Sequence, residues 1–136
     1  MKGTLWHAYS NIGLYSIQGA PLVIAFVIPS ERTRCAYYFA AFLLLMVIQN
    51  ITKLSYHDPR PFWVSPGVQA LSCSSQFGNP SGHSENAIAM SLLLWLDLVY
   101  GSDQPRYTKI IAFVLALLFP TSIGYSRLLL GVHSLD

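Results

Sequence analysis

The chain has 136 residues, of which 53% are hydrophobic and only 10% are charged, with a formal net charge of +2 and a mean hydropathy of +0.44. A soluble domain usually carries about 25% charged residues, so this composition indicates a single integral membrane domain and argues against a soluble fold. The small net charge and the scattered basic residues exclude a nucleic-acid-binding face, and we expect no nucleic-acid partner.

The predicted elements are four apolar segments, each interpreted as a membrane-spanning helix. They cover residues 12–28, 35–51, 86–100 and 110–126, at or below the low end of the range of about 17–25 residues for a spanning helix. Pro21 predicts a kink in the first segment. The third segment is the weakest, since it is the shortest and Asp97 lies near its end. Together they predict one all-α, polytopic transmembrane helical bundle over residues 1–136.

The connections between these segments predict how the bundle lies in the membrane. Residues 29–34 hold two arginines, residues 101–109 hold two basic residues, and the long loop 52–85 is rich in Pro, Gly and Ser. The positive-inside rule places both short connections in the cytoplasm. The long loop then faces the lumen if the chain lies in the endoplasmic reticulum, or the exterior if it lies in the plasma membrane. Lys53 and Arg60 run against the rule there, and a bound phosphate would explain them.

Several smaller features of the sequence give no indication of function. Cys35 and Cys73 lie on opposite predicted sides, so we expect no disulfide between them. The N-terminus lacks the pattern of a cleavable signal peptide, and Asn50 lies too near the membrane to be a glycosylation site. The chain ends at Asp136 without a further apolar segment. We therefore expect it to be truncated at the C-terminus relative to a longer protein.

The first motif is Lys53-x6-Arg60-Pro61, directly after the second segment. Prolines on both sides of Arg60 stiffen the chain around it. Arginine offers phosphate a fixed fork of donors, and lysine adds a compact charge. The alternative is a pair of basic anchors at the lipid headgroups.

The second motif is Pro80-Ser81-Gly82-His83, before the third segment. Backbone N–H groups at a helix start can bind phosphate oxygens, and Gly82 lets the backbone come close. His83 would then stand beside the phosphate and could protonate a leaving oxygen. The alternative is a plain turn with a serine N-cap, Ser81 or Ser84, and a passive histidine.

The third motif is Ser126-Arg127-x5-His133, with Asp136 three residues further on. If a helix continues through it, His133 and Asp136 share a face. A carboxylate on one imidazole nitrogen fixes the tautomer and leaves the other nitrogen free as a nucleophile. The alternative is a helix-cap arginine and a histidine at the membrane interface.

The order of the motifs brings them to one face of the membrane, because alternating helices deliver all three there. We therefore expect three cations and two histidines around one anion. We predict no metal site: His57 and Asp58 are adjacent and have no third ligand nearby, so they are interpreted as loop residues. His7 has no evident partner in the sequence and is given no role.

These motifs resemble the phosphatidic acid phosphatase type 2 superfamily, which also contains sphingolipid phosphate phosphatases, glucose-6-phosphatases and vanadium haloperoxidases. The family pattern is Lys-x6-Arg-Pro, Pro-Ser-Gly-His and Ser-Arg-x5-His-x3-Asp. The first two are present in full, and the third reaches Asp136 after two intervening residues instead of three. The resemblance covers the stretch from Lys53 to Asp136.

The resemblance implies a membrane-bound phosphomonoesterase of the acid phosphatase type that needs neither metal nor cofactor. Its expected substrate is a phosphorylated lipid from the surrounding membrane. The alternatives are a glucose-6-phosphatase-like sugar phosphatase and a non-catalytic phosphate-binding membrane protein. Vanadate-dependent halide oxidation is disfavoured by four hydrophobic spans. The implied roles are His133 as the nucleophile that forms a phosphohistidine, His83 as the acid, Asp136 as the orienting carboxylate, and Lys53, Arg60, Arg127, Ser81 and Gly82 as the phosphate-binding residues.

Overall fold

The described part of the chain is entirely helix and loop. The computed structural model describes residues 2–69, 71 and 75–133, and no strand occurs in those ranges. The expectation of an all-α fold is therefore confirmed. The elements are α1 (Lys2–Val27), a 3-10 turn (Pro29–Glu31), α2 (Arg32–Tyr56), a short α3 (Pro61–Val64), α4 (Gly82–Gly101) and α5 (Arg106–Leu129).

The four long helices correspond to the four predicted apolar segments but extend beyond them. α1 begins at Lys2 rather than at residue 12, and α4 begins at Gly82 rather than at residue 86. Hydropathy detects the apolar middle of a helix, whereas the backbone hydrogen bonds continue into its polar ends. The first predicted connection is also shorter than expected, because Arg32 and Arg34 already belong to α2.

α5 ends before the last motif is complete. Leu129 is its final residue, and Gly131 follows with a positive φ of 67°, a left-handed conformation that favours glycine. A Cβ atom at Gly131 would lie 3.1 Å from the carbonyl oxygen of Gln69. The interpretation that a helix runs through His133 is therefore wrong, since His133 lies in the segment after α5. Asp136 and Cys73 lie outside the described residues.

The helices pack so that α4 and α5 are close antiparallel neighbours, α1 contacts α2, α4 and α5, and α2 contacts α4. One end of the bundle, here called the polar end, holds the starts of α1 and α4 and the ends of α2 and α5. At the opposite end Arg34 pairs with Glu31 at 2.9 Å and with Asp97 at 3.4 Å, which joins α2 to α4. The alternating chain direction thus gathers the three motifs at one end.

Two stretches of the described residues are long and apolar enough to cross a membrane, Pro29–Val64 and Arg106–Leu129. Their apolar side chains face mostly outward, for example Leu44 on α2 and Leu118 on α5. Exposed apolar surface on this scale marks an interaction surface in a stable protein. These exposed apolar faces of α2 and α5 are suited to contact with lipid.

A large, mainly apolar cavity lies between α1, α2, α4 and α5. It has a volume of about 1100 Å³, and its walls include Met90, Leu94, Leu115 and Ala116. It reaches from Tyr9 near the polar end to the Arg34 ion pairs at the other end. The cavity therefore extends along most of the bundle.

Candidate active site

Three buried cations form the centre of the polar end. Lys53 lies in the last turn of α2, Arg60 precedes α3, and Arg127 lies in the last turn of α5. Their exposed fractions are 6%, 3% and 6%. Within the described residues none of them forms an ion pair with a carboxylate. Buried like charges are unfavourable without a counter-charge, so this cation cluster (Lys53, Arg60 and Arg127) is suited to an anion.

Arg60 also holds the site together. Its Nε donates to the carbonyl oxygen of Gln76 at 2.7 Å, Nη1 to that of Val132 at 2.8 Å, and Nη2 to that of Phe77 at 3.3 Å. These bonds use three of its five N–H groups. Arg60 thereby ties the loop before α4 to the segment after α5, with two N–H groups left for an oxyanion. Lys53 Nζ donates to Gln76 Oε1 at 2.9 Å.

Arg127 presents a buried donor that suits an anion. Its Nη1 donates to Ser10 Oγ at 3.4 Å, whereas its Nε is buried and has no hydrogen-bond partner among the described residues. A buried donor without a partner requires a physical explanation, because it loses its hydration without compensation. An oxyanion in the cation cluster would accept this hydrogen bond.

The start of α4 presents backbone donors to the same region. Ser81 occupies the N-cap position but makes no side-chain capping bond, and its hydroxyl instead accepts from Ser84 Oγ at 3.2 Å. The first N–H groups of a helix have no intrahelical partner and bind anions well. Ser81 and Gly82 are therefore placed as the second motif predicts, and the plain serine cap is not formed.

Gly82 allows α4 to approach α2 closely. A Cβ atom at this position would overlap the side-chain amide of Gln49 on α2. Gln49 is buried and accepts a hydrogen bond from Asn86 Nδ2 at 3.3 Å, and the same nitrogen donates to the Gly82 carbonyl at 2.8 Å. This buried amide contact fixes where α4 starts, and the sequence alone did not indicate it.

Replacing Gly82 with alanine is expected to lower the free energy of unfolding by about 1–3 kcal/mol, because a methyl group is forced into packed side chains. Thermal unfolding in detergent measures this change. Gly19→Ala is the matched control, since no atom that the structure describes lies within 4 Å of its added Cβ, and there alanine should stabilise α1 by up to about 1 kcal/mol. Equal unfolding temperatures for the two variants would contradict the close approach at Gly82.

His133 forms one wall of a small cavity beside the cation cluster. The cavity has a volume of about 80 Å³, and its other walls are Asp58, Pro59, Pro61, Gly78, Asn79 and Ser81. It is large enough for several water molecules and so has room for a phosphoryl group. Val132 N–H donates to the Arg127 carbonyl at 3.4 Å, which holds His133 close to the end of α5. Asp58 lies in the loop after α2, as expected, and also lines this cavity.

Both imidazoles are held in the neutral form by their surroundings. Burial, followed by the charges of Arg60, Arg127 and Lys53, lowers the pKa of His133 to about 3. Burial and Arg127 are the largest causes that lower the pKa of His83 to about 4. A neutral imidazole keeps the lone pair that a nucleophile or base requires. Arg60 and Arg127 both form hydrogen bonds with the backbone of Val132, directly before His133, so these two cations lie close to that histidine.

α1 contributes side chains that sequence reasoning missed. His83 Nε2 donates to Asn11 Oδ1 at 3.3 Å, and Ser10, which accepts from Arg127, is fully buried. His7, to which no role was given, contacts Asn11 through Nδ1 at 3.1 Å. The available signal was their spacing, because residues i, i+3 and i+4 lie on one face of a helix.

Comparison with known proteins agrees with the arrangement of these motifs. Sphingosine-1-phosphate phosphatase 2 from Homo sapiens is 32% identical over 94 residues, which is 68% of this chain and 22% of the relative. The corresponding protein from Mus musculus is 32% identical over 94 residues, 68% of this chain and 25% of the relative. The chain thus spans about a quarter of the length of these curated relatives. No solved structure gives a significant match.

The sequence profile of the PAP2 superfamily matches residues 34–136, a range that contains all three motifs. It covers α2 from Arg34 onward through α5 and leaves out all of α1. The resemblance found from the motifs is confirmed: the chain belongs to the PAP2 superfamily.

Proposed function

We propose that the chain forms a phosphatase site that hydrolyses lipid phosphate monoesters through a phosphohistidine at His133, without a metal ion. The observation that carries this proposal is the buried cation cluster, in which Arg127 Nε has no hydrogen-bond partner among the described residues. Burial and these cations lower the pKa values of His83 and His133. Phosphoryl transfer depends mainly on positioning and on neutralising the charge of the equatorial oxygens. Three fixed cations and the start of α4 can supply both.

In the first step a neutral nitrogen of His133 attacks the phosphorus atom. A phosphorus–nitrogen bond forms as the bond to the ester oxygen breaks, and the leaving oxygen takes a proton from His83. Burial lowers the pKa of His83 most, and the charges of Arg127, Lys53 and Arg60 lower it further. Binding of the phosphate dianion opposes these charges, so His83 can carry that proton in the complex.

In the second step a water molecule attacks the phosphohistidine. Now neutral, His83 takes a proton from this water, the phosphorus–nitrogen bond breaks, and inorganic phosphate is released. The lowered pKa of His133 helps here, because a weakly basic imidazole is a good leaving group. Asp136 is proposed to orient His133, as the family pattern implies.

The apolar cavity supports a lipid substrate. Tyr9 and Met90 in its wall lie on the same helices as Asn11 and His83 at the polar end, so the cavity comes within about two helical turns of the site. A hydrocarbon chain could occupy it while the phosphate lies in the cation cluster. The curated relatives are named as phosphatases of sphingosine 1-phosphate, a lipid phosphate with one long chain.

The proposed setting is a multi-pass bundle in which α1, α2, α4 and α5 all cross the membrane. The polar end then lies at the lumenal or extracellular face, because the two short basic connections are assigned to the cytoplasm by the positive-inside rule. This arrangement presents a lipid headgroup to the cation cluster while its chain stays in the apolar region.

The substrate class and the absence of a metal requirement are tested together by measuring phosphate release from the full-length protein in excess EDTA. We expect sphingosine 1-phosphate to be hydrolysed at an unchanged rate and at least about 10-fold faster than glucose 6-phosphate, because only the lipid gains binding energy from the cavity. Preference for glucose 6-phosphate would favour the sugar phosphatase. Activity lost in EDTA and restored by magnesium would contradict the role of the cation cluster.

Filling the cavity should discriminate between long and short substrates. Ala116 is buried and lines the cavity on α5, so Ala116→Phe is expected to lower kcat/KM for sphingosine 1-phosphate by about 10- to 100-fold. Hydrolysis of a short water-soluble phosphomonoester should change by less than about threefold. Leu118→Phe adds an aromatic ring to the exposed face of the same helix and serves as the control. Equal losses for both substrates would argue against the cavity as the chain-binding site.

A further inference from the structure

The polar face of α1 lies against the two sides of the candidate active site. Ser10 contacts Arg127 on α5, and Asn11 contacts His83 on α4. All of α1 lies outside the range that matches the superfamily profile, and no residue of the three motifs belongs to it. The contacts of α1 with the site are therefore a property of this chain beyond the shared motifs.

Asn11 joins two histidines through the two ends of its amide. Its nitrogen Nδ2 donates to His7 Nδ1 at 3.1 Å, and its oxygen Oδ1 faces His83 Nε2 at 3.3 Å. An amide oxygen can only accept. His83 completes this bond only when Nε2 carries a proton, and His7 completes its own bond only when Nδ1 carries a lone pair.

Ser10 fixes the same segment from the other side. It is fully buried, and its hydroxyl donates to the carbonyl oxygen of His7 at 3.2 Å while it accepts from Arg127 Nη1 at 3.4 Å. The polar face of α1 is thus hydrogen-bonded at His7, Ser10 and Asn11. Asn11 is held in place by contacts on both sides and is not a freely rotating surface amide.

The geometry points to Asn11 as a positioning residue for His83, which it orients by accepting the Nε2 proton, with His7 setting the direction of the Asn11 amide. In neutral His83 the lone pair is then on Nδ1, which becomes the nitrogen that exchanges protons with the leaving group and with water. A hydrogen bond of this kind fixes the tautomer of a catalytic histidine. This inference rests on the proposed function for its kinetic consequence only.

Several charged and titratable groups surround His83, but the substituted residue at position 11 sets the direction of the expected change in the pKa of His83. Loss of an acceptor for Nε2–H disfavours the imidazolium, and replacement of the amide by a carboxylate favours it. The neighbouring groups should remain unchanged in both variants. They are His7 on α1, Lys53 on α2, Arg60 after α2, Arg127 on α5 and His133 after α5. Glu85, two residues further along α4, acts on Lys53.

The kinetic test compares Asn11→Ala and Asn11→Asp in the full-length protein. We expect Asn11→Ala to lower kcat by about 10- to 100-fold, with KM within about twofold. Losses of this size are typical when a residue that orients a functional histidine is removed. The alkaline limb of the kcat profile, which reports protonated His83, should move to lower pH in Asn11→Ala and to higher pH in Asn11→Asp. Unchanged kcat and pH limbs, or a change confined to KM, would overturn the inference.

The controls separate positioning from damage to α1. Leu5→Ala changes an exposed residue of the same helix and should leave the kinetics unchanged. His7→Gln keeps an acceptor for Asn11 and should retain more activity than His7→Ala. Equal activity of the two His7 variants would contradict the role of His7 in setting the amide.

A spectroscopic readout decides the inference even if no phosphatase activity is found. Nitrogen-15 NMR of the histidine-labelled protein near pH 7 should show His83 protonated at Nε2 in the unaltered chain and as a mixture of tautomers in Asn11→Ala. A proton on Nδ1 in the unaltered chain would overturn the assignment. If the unaltered protein shows the Nε2 tautomer but no phosphatase activity, the result counts against the proposed function alone.

Discussion

Replacing His133 with alanine is expected to abolish phosphate release, with kcat reduced by at least about 10,000-fold. Alanine offers no nitrogen to form the phosphorus–nitrogen bond, and a water molecule in its place would face a buried site that is organised for covalent attack. The three cations remain in this variant, so it should still bind phosphate. Steady-state release of phosphate from sphingosine 1-phosphate, with binding of inorganic phosphate measured separately, tests both expectations.

His57→Asn is the matched histidine control for this experiment. His57 is exposed, ends α2 in a left-handed conformation with a φ of 50°, and asparagine tolerates that conformation well. We expect this variant to keep full activity. Equal release of phosphate by His133→Ala and by the unaltered protein would remove His133 from the reaction.

Replacing Arg127 with lysine is expected to lower kcat/KM by about 100- to 1000-fold, although the charge is kept. Arg127 offers an Nε that has no partner among the described residues, in addition to its Nη groups, whereas lysine offers a single ammonium that cannot reproduce the fork. The loss should therefore appear as weaker binding of a tetrahedral oxyanion. Orthovanadate, which resembles phosphate, is a suitable probe for that binding.

The stability of the protein gives a quantitative form of this test. Vanadate at 100 times its Kd should raise the free energy of unfolding of the unaltered protein by about 2.7 kcal/mol. If Kd rises about 100-fold in Arg127→Lys, the same concentration should raise it by only about 0.4 kcal/mol. Arg106→Lys changes an exposed arginine at the start of the same helix and should behave like the unaltered protein. Equal stabilisation of both variants would show that Arg127 does not bind the oxyanion.

The sequence predicted those parts of the structure that depend on hydropathy and on motif order. The four apolar segments correspond to the four long helices, because long apolar runs identify helices reliably. Alternating helix directions then brought Lys53, His83 and Arg127 to one end of the bundle, as predicted. Hydropathy could not place the helix ends, since α1 and α4 extend into polar residues that remain hydrogen-bonded.

The parts that the sequence did not predict depend on contacts between distant residues. Arg60 binds three backbone carbonyl groups, an arrangement that no local pattern encodes. Gln49 and Gly82 meet only because α2 and α4 cross at that point. Asn11 reaches His83 across 72 positions of sequence. The end of α5 was misjudged because the left-handed residue Gly131 depends on the loop packed against it.

The central claim is that His133 attacks the phosphorus atom and carries the phosphoryl group between the two steps. The most direct test is to quench the full-length protein during turnover of sphingosine 1-phosphate, under alkaline conditions that preserve phosphohistidine, and to locate bound phosphate by mass spectrometry. We expect an acid-labile phosphoryl group on His133 that disappears on further incubation. Full turnover without any protein-bound phosphate, or with the phosphoryl group on His83 instead of His133, would contradict this account.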